Sequence, residues 1–238
     1  MNRAALHAWG SLTEDGSVRW LKYSFGPGTA NTLAVRLEDG TWLVVSPATG
    51  APPSVLDELA EDGTVSALIA PNAFHHRGQP AWRRRFPDAV SYAPEGALPR
   101  LAQKSPGVPY RPISELIERV RPRVDPFTPL GLKAPDMLVR VSVPGDTVWW
   151  MGDLFSNSTA ADQVWWLRRL VAPLAGSGLG YRRNAKPGLV YVRDRAAWLG
   201  SIRDALGRHP PSIVVPAHGD PVSEDAAPRT QQLLSDPS

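Results

Sequence analysis

Short apolar runs, each bounded by turn residues, fill the first part of the chain. Ser17–Tyr23, Asn31–Leu37 and Thr41–Val45 are such runs, the last two joined through Glu38-Asp39-Gly40. That pattern predicts antiparallel strands. The period then lengthens. Pro53–Glu61 reads as a helix opened by prolines and closed near Gly63, followed by a strand over Val65–Ala70, a helix around Trp82 and a strand over Ala89–Tyr92. A proline-rich middle shows no assignable period. Beyond it, Met137–Val143 and Thr147–Met151 predict a second hairpin about Pro144-Gly145-Asp146, and a helix follows from about Ala161 to Leu170. Within Leu189–Leu206, the residues Val192, Ala196, Leu199, Ile202 and Leu206 share one helical stripe, which Gly207 stops before a last strand, Ile213–Pro216. After Pro221 the pattern allows a short helix and then a frayed end.

Two groups of strands separated by helices predict an α/β fold: a four-layer αββα sandwich of two mixed β-sheets flanked by helices. With 238 residues, 42% of them apolar, the chain is long enough to bury a large core. The expectation is a single domain over residues 1–225, with 226–238 as a C-terminal tail. The 25 prolines and 20 glycines are spread along the chain and point to many short connections, not to a disordered polymer. Cysteine is absent. Disulfides, thiolate nucleophiles and Cys-ligated zinc are therefore excluded, and any metal must rely on imidazole and carboxylate. The first residues lack the apolar stretch of a signal peptide, and no segment approaches bilayer-spanning length. A cytoplasmic protein without a membrane partner is the expectation.

Charge changes this picture little. Lys and Arg number 26 against 23 acids, a net +3, too balanced to point to a nucleic-acid partner. The densest basic run, Arg83-Arg84-Arg85, lies between Trp82 and Phe86, which are spaced to face inward together, so the arginines read as a solvated face. Arg182, Arg183 and Lys186 are different, because they fall in the glycine-rich segment Val171–Gly188, longer than a usual connector. That segment reads either as a plain surface loop or as a lid whose cations bind a substrate carboxylate or phosphate.

Candidate chemistry is concentrated in three stretches, each following an apolar run: Pro71-Asn72-Ala73-Phe74-His75-His76-Arg77-Gly78, Met151-Gly152-Asp153, and Val214-Val215-Pro216-Ala217-His218-Gly219-Asp220. Three of the five histidines and one carboxylate thus fall at strand ends, where loops gather ligands from distant parts of a chain. In this order the stretches resemble the metallo-β-lactamase fold superfamily. Its hallmark is a strand followed by H-x-H-x-D-H, then a mid-chain His, a Gly-Asp after a strand and a final turn bearing His. Laid against the hallmark, Pro71 and Ala73 stand at the first two His positions, His75 at the Asp and His76 at the last His. No histidine lies between His76 and His209, so the mid-chain ligand is absent too. Ser46 or Pro47 stands near the family's early Asp.

The resemblance implies one surviving metal site formed by His75, His76, Asp153 and His218, taking a single zinc or iron ion. It implies a hydrolase in which Asp153 ligates and orients while metal-activated water attacks a small ester, thioester, amide or phosphoester. The alternative is a metal-free, catalytically silent relative that binds a small ligand or a protein partner; the sequence specifies no oligomeric partner. Simpler readings stand beside each residue. Adjacent histidines in a strand point to opposite faces, so His75 and His76 share a site only where the backbone turns. His76 can equally be structural, bonded to Asp153 or to a backbone carbonyl; Asp153 can cap the segment that follows it, and Asp220 the final helix. Trp149 and Trp150 read as core, while Trp165 or Trp166 reads as packing or as an apolar pocket wall. His7 and His209 carry no supporting pattern.

Overall fold

Where short apolar runs are bounded by turn residues, the computed structural model forms strands within a residue or two of the predicted bounds. It describes residues 6–166, 169–170, 178–184 and 192–235. The chain divides into two compact units, Met1–Arg123 and Val124–Ser238.

The first unit is built on a seven-stranded sheet in simple chain order: β1 (Trp9–Ser11), β2 (Val18–Ser24), β3 (Thr29–Arg36), β4 (Trp42–Val45), β5 (Val65–Ile69), β6 (Val90–Ala93) and β7 (Tyr110–Pro112). Strands β1 to β4 pair antiparallel, and β4 to β7 pair parallel. The change of sense follows from the connections. Asp39 Oδ1 accepts hydrogen bonds from both the amide and the hydroxyl of Thr41, which closes the tight turn between β3 and β4. Parallel neighbours need crossovers instead. These are α1 (Pro53–Glu61), α2 (Gln79–Arg85) and α3 (Leu98–Lys104), with α4 (Ser114–Val120) following β7. Helix α1 buries Val55, Leu56 and Leu59 beside Leu21, Trp42 and Val44. Trp82 and Phe86 enter the same core, and Trp82 Nε1 donates to Ala48 O at 3.0 Å. Arg84 and Arg85 stay exposed, as a solvated face requires.

The second unit holds a four-stranded and a three-stranded sheet. The larger one, in the order β13-β10-β9-β8, contains β8 (Val124–Phe127), β9 (Leu138–Val143), β10 (Asp146–Trp150) and β13 (Ile213–Val215). Strands β9 and β10 make the hairpin read from the sequence, and β13 runs parallel to β10. The smaller, in the order β12-β11-β14, contains β11 (Phe155–Ser158), β12 (Gly180–Arg183) and β14 (His218–Gly219). Helices α5 (Arg195–Arg208) and α6 (Ala226–Ser235) complete the unit. Trp149, Leu154, Phe155, Trp198, Ile202 and Val214 share its core, and both Trp149 and Trp150 are buried.

Four details differ from the expected elements. Helix α5 starts at Arg195, where Asp194 caps it by accepting from the Ala197 amide, and it runs past Gly207 to Arg208. On its stripe Leu199, Ile202 and Leu206 are buried with Val192, whereas Ala196 is exposed and Trp198 packs inward. Near Ala161 there is a short 3₁₀ turn, Ala160–Asp162, closed by a reciprocal Thr159–Asp162 capping box; residues 167–168 of the expected helix lie outside the described residues. Gly180–Arg183, expected as loop, is strand β12, because its backbone pairs with β11. Among the described residues no helix is long and apolar enough to cross a membrane.

Candidate metal centre

In the first unit the relevant chain lies between β5 and α2. Buried Asn72 accepts hydrogen bonds at its Oδ1 from the amides of Phe74 (2.8 Å) and His75 (3.1 Å), an Asx arrangement that reverses the backbone just after the strand. The histidine pair therefore sits in a turn, and strand alternation does not force the two rings apart. Each ring is held by a serine. His75 Nδ1 lies 2.8 Å from Ser46 Oγ, and His76 Nδ1 lies 2.6 Å from Ser105 Oγ at the end of α3. Ser46 is fully buried in the turn after β4 with φ at 55°, and its carbonyl accepts from Thr32 Oγ1 at 2.7 Å. Burial lowers the His76 pKa below the ordinary imidazole value, and the positive neighbours Arg77, His75, Lys104 and Arg100 lower it further. Both causes favour the uncharged form of the His76 ring. The structural partner of His76 is thus a serine hydroxyl, where the sequence suggests Asp153 or a backbone carbonyl.

In the second unit two strand ends meet. Met151 N donates to Val215 O and Ala217 N donates to Gly152 O, both at 3.0 Å, so the turns after β10 and β13 are hydrogen-bonded to each other. Gly152 takes φ 61°, and a β-carbon there would come within 2.6 Å of an Asp136 carboxylate oxygen. That oxygen accepts the Asp153 amide at 2.9 Å. On the other side Asn184 Nδ2 donates to the Asp153 carbonyl at 2.7 Å, while Asn184 Oδ1 accepts from Ser156 Oγ at 3.0 Å. With its backbone fixed by both neighbours, Asp153 places Oδ1 3.1 Å from His218 Nε2. The two side chains retain 27% and 31% of their exposure, so the pair is reachable from solvent.

Strand β14 fixes His218. Ser156 pairs with His218 and Asn157 with Gly219 in parallel register. Gly219 has φ 91°, and a β-carbon on it would lie 2.0 Å from Asn157 O. Asp220 N donates to Asn157 O at 3.0 Å, and Asn157 Nδ2 donates to Asp220 O at 2.9 Å. Asp220 thus ties β14 to β11 through its backbone, well before α6 begins at Ala226, and it does not occupy that helix's N-terminus.

The cations expected in the loop are placed differently from one another. Arg183 is buried in β12 with its guanidinium carbon 6.0 Å from the Trp198 ring centroid. Arg182 is exposed and lies in register with Ser156, which in turn pairs with His218. Residues paired across a sheet share a face, so Arg182 and His218 project the same way. Lys186 lies outside the described residues. Trp165 and Trp166 are exposed. His209 follows α5 and accepts the Trp149 indole N–H at its carbonyl, a structural role.

Ser105 in the first unit, and Asp136, Asn157 and Asn184 in the second, position these side chains or their backbones, and no sequence motif marks them. Each acts on a partner at least seventeen positions away, and no local motif announces such a bond. Ser46 had one signal, its place near the family's early Asp.

No protein-family model matches the chain, and no curated protein matches it by sequence. Solved structures do. DIM-1 metallo-β-lactamase superposes with a TM-score of 0.60 at 15% identity, covering 97% of both chains. A metallo-β-lactamase from Erythrobacter litoralis gives 0.62 at 18% identity over 95% of both. FIM-1 from Pseudomonas aeruginosa, in its mono-zinc form, gives 0.61 at 16% over 95% of this chain and 94% of that one. Identities this low speak for architecture and not for activity. The sheets, their order and these superpositions agree, and the chain has the metallo-β-lactamase fold.

Proposed function

We propose that the chain is a metal-dependent hydrolase in which Asp153 and His218, with His75 as the third ligand that the sequence resemblance implies, hold a single divalent ion. The observation that carries the reading is the Asp153–His218 contact, a carboxylate and an imidazole held at two strand ends and still open to solvent. The donor set fits zinc or iron, since both accept imidazole and carboxylate. Three protein ligands also leave a position open, which distinguishes catalytic from structural sites. A second ion has no support, because Pro71 and Ala73 stand where the family's first two His would be, and neither side chain ligates.

When bound, such an ion supplies acidification of a water and polarisation of the scissile group. The chain's own residues do the rest. Ser46 engages His75 Nδ1 and leaves Nε2 as the ligating nitrogen; Asp136 and Asn184 fix the Asp153 backbone so that its carboxylate points at His218. His76, bonded through Nδ1 to Ser105 Oγ, stands outside the ligand set in this reading. Arg182, on the His218 face of the small sheet, stands ready for an anionic group of a small ester, thioester, amide or phosphoester. The solved neighbours add support, since they are metallo-β-lactamases and one was determined with a single zinc.

Elemental mass spectrometry on unchelated protein, with Asp153→Ala and His218→Ala purified in parallel, tests this. Wild type is expected to hold about one equivalent of zinc, iron or manganese, and both variants to lose it. Full occupancy in both variants overturns the assignment, and so does a wild type that takes up no metal on reconstitution.

A further inference from the structure

Three arginines of the first unit have an acid beside them. Arg19 pairs with Asp62, Arg85 with Asp57 and Arg111 with Glu115. Arg77, Arg100 and Lys104 do not: among the described residues none of the three has a carboxylate partner. They are also gathered in one place. Arg100 and Lys104 are four apart on α3, which packs Leu101 against Ala70, Ala93 and Ala97 and leaves both cations exposed. The Arg100 guanidinium carbon stands 4.6 Å over the ring of Phe74, itself exposed in the histidine turn. The end of α3 reaches the same turn through the Ser105–His76 bond, and Arg77 follows His76 directly. Like charges left together without a counter-charge raise the local potential and favour an anion.

We infer that Arg77, Arg100 and Lys104 form a subsite, beside the His75–His76 turn, that receives a phosphoryl group. Three cations around one anion match a dianion better than a monoanion, and a guanidinium offers paired N–H donors to two phosphoryl oxygens. As part of a substrate site the inference rests on the hydrolase reading and narrows it to phosphoesters or to esters carrying a phosphoryl group. As an anion site it stands on the first unit alone, because every residue in it lies within Met1–Arg123.

Phenylphosphonate, which cannot be hydrolysed as an ester, separates the two. It is titrated calorimetrically, at low ionic strength, into full-length chelator-treated protein, into the double variant Arg100→Gln/Lys104→Gln, and into Arg84→Gln as a control on the solvated face. The expected result is binding to wild type and to the control, about tenfold weaker binding to the double variant, and benzoate binding at least about fivefold weaker than phenylphosphonate in wild type. Absence of phenylphosphonate binding to wild type overturns the subsite, and so does equal affinity in the double variant. Equal binding of benzoate overturns its phosphoryl character. Circular dichroism and zinc uptake of the double variant, both expected unchanged, show that the loss is not one of folding. Should wild type take up no zinc, the hydrolase reading fails, while the phenylphosphonate titration still decides the subsite.

Discussion

The two units hold their histidines by different means. In the turn after β5, His75 and His76 are each steadied by one serine hydroxyl, and the turn itself is closed by the Asn72 side chain. At the ends of β10 and β13, Asp153 and His218 are fixed through the main chain: two glycines in left-handed conformations, a strand pairing, and amides and carbonyls bonded to Asp136, Asn184 and Asn157. A side-chain hydrogen bond to an imidazole can be deleted with a local effect. A backbone that approaches another to within contact distance cannot be altered without moving both strands. The first unit should therefore tolerate change at its histidine supports, and the second should not.

The sharpest break of this contrast is Gly219→Ala. Its β-carbon would sit on Asn157 O, at a φ that costs any residue with a side chain, and the expected loss of stability is about 2–4 kcal/mol, read by urea denaturation. A loss below about 1 kcal/mol would show that the strand pair yields more easily than its geometry implies. Next comes Ser46→Ala, which removes the hydroxyl on His75 Nδ1. Stability is expected to fall by about 1 kcal/mol and zinc affinity, measured by competition with a chromophoric chelator, by about tenfold. Unchanged affinity would mean that Ser46 does not orient a ligand. The smallest effect is in pH dependence. The folded-state pKa of His76 lies below its unfolded value, so its contribution to stability is whole above the ordinary imidazole pKa and declines as pH falls through the lowered one. Between pH 7.5 and pH 5.5, wild type should lose more stability than His76→Gln in paired denaturation series; equal losses would remove His76 from that balance.

The same contrast explains what the sequence discloses. Strands β2 to β6, helix α1 and the β9–β10 hairpin follow from short apolar runs and from turn residues such as Asp39-Gly40 and Gly145-Asp146, which act over a few positions. Helices α3 and α4 have seven residues each and β7 only three, too short for a period to show in a proline-rich stretch. Strand β12 carries no strand signal because Gly-Tyr-Arg-Arg is polar, and its strand character comes from pairing with β11, not from its own residues. Sequence alone accordingly makes Arg183 a loop cation, whereas it packs beside Trp198. In the site, imidazole and carboxylate at strand ends were legible because chemistry is written in residue type. Their supports were not, since Asp136, Asn184 and Ser105 are common polar residues whose function is decided by distant partners.

The bonds between the turn at Gly152 and the turn at Ala217 give Asp153 and His218 the character of a bidentate chelator. Although far apart in sequence, the two donors sit on one continuous ladder that runs from β10 and β13 through Met151 and Val215 into the turns. Their mutual approach is settled when the unit folds, so an arriving cation does not have to order one before meeting the other. Local opening of either turn releases both donors together, which makes this half of the site behave as one cooperative element.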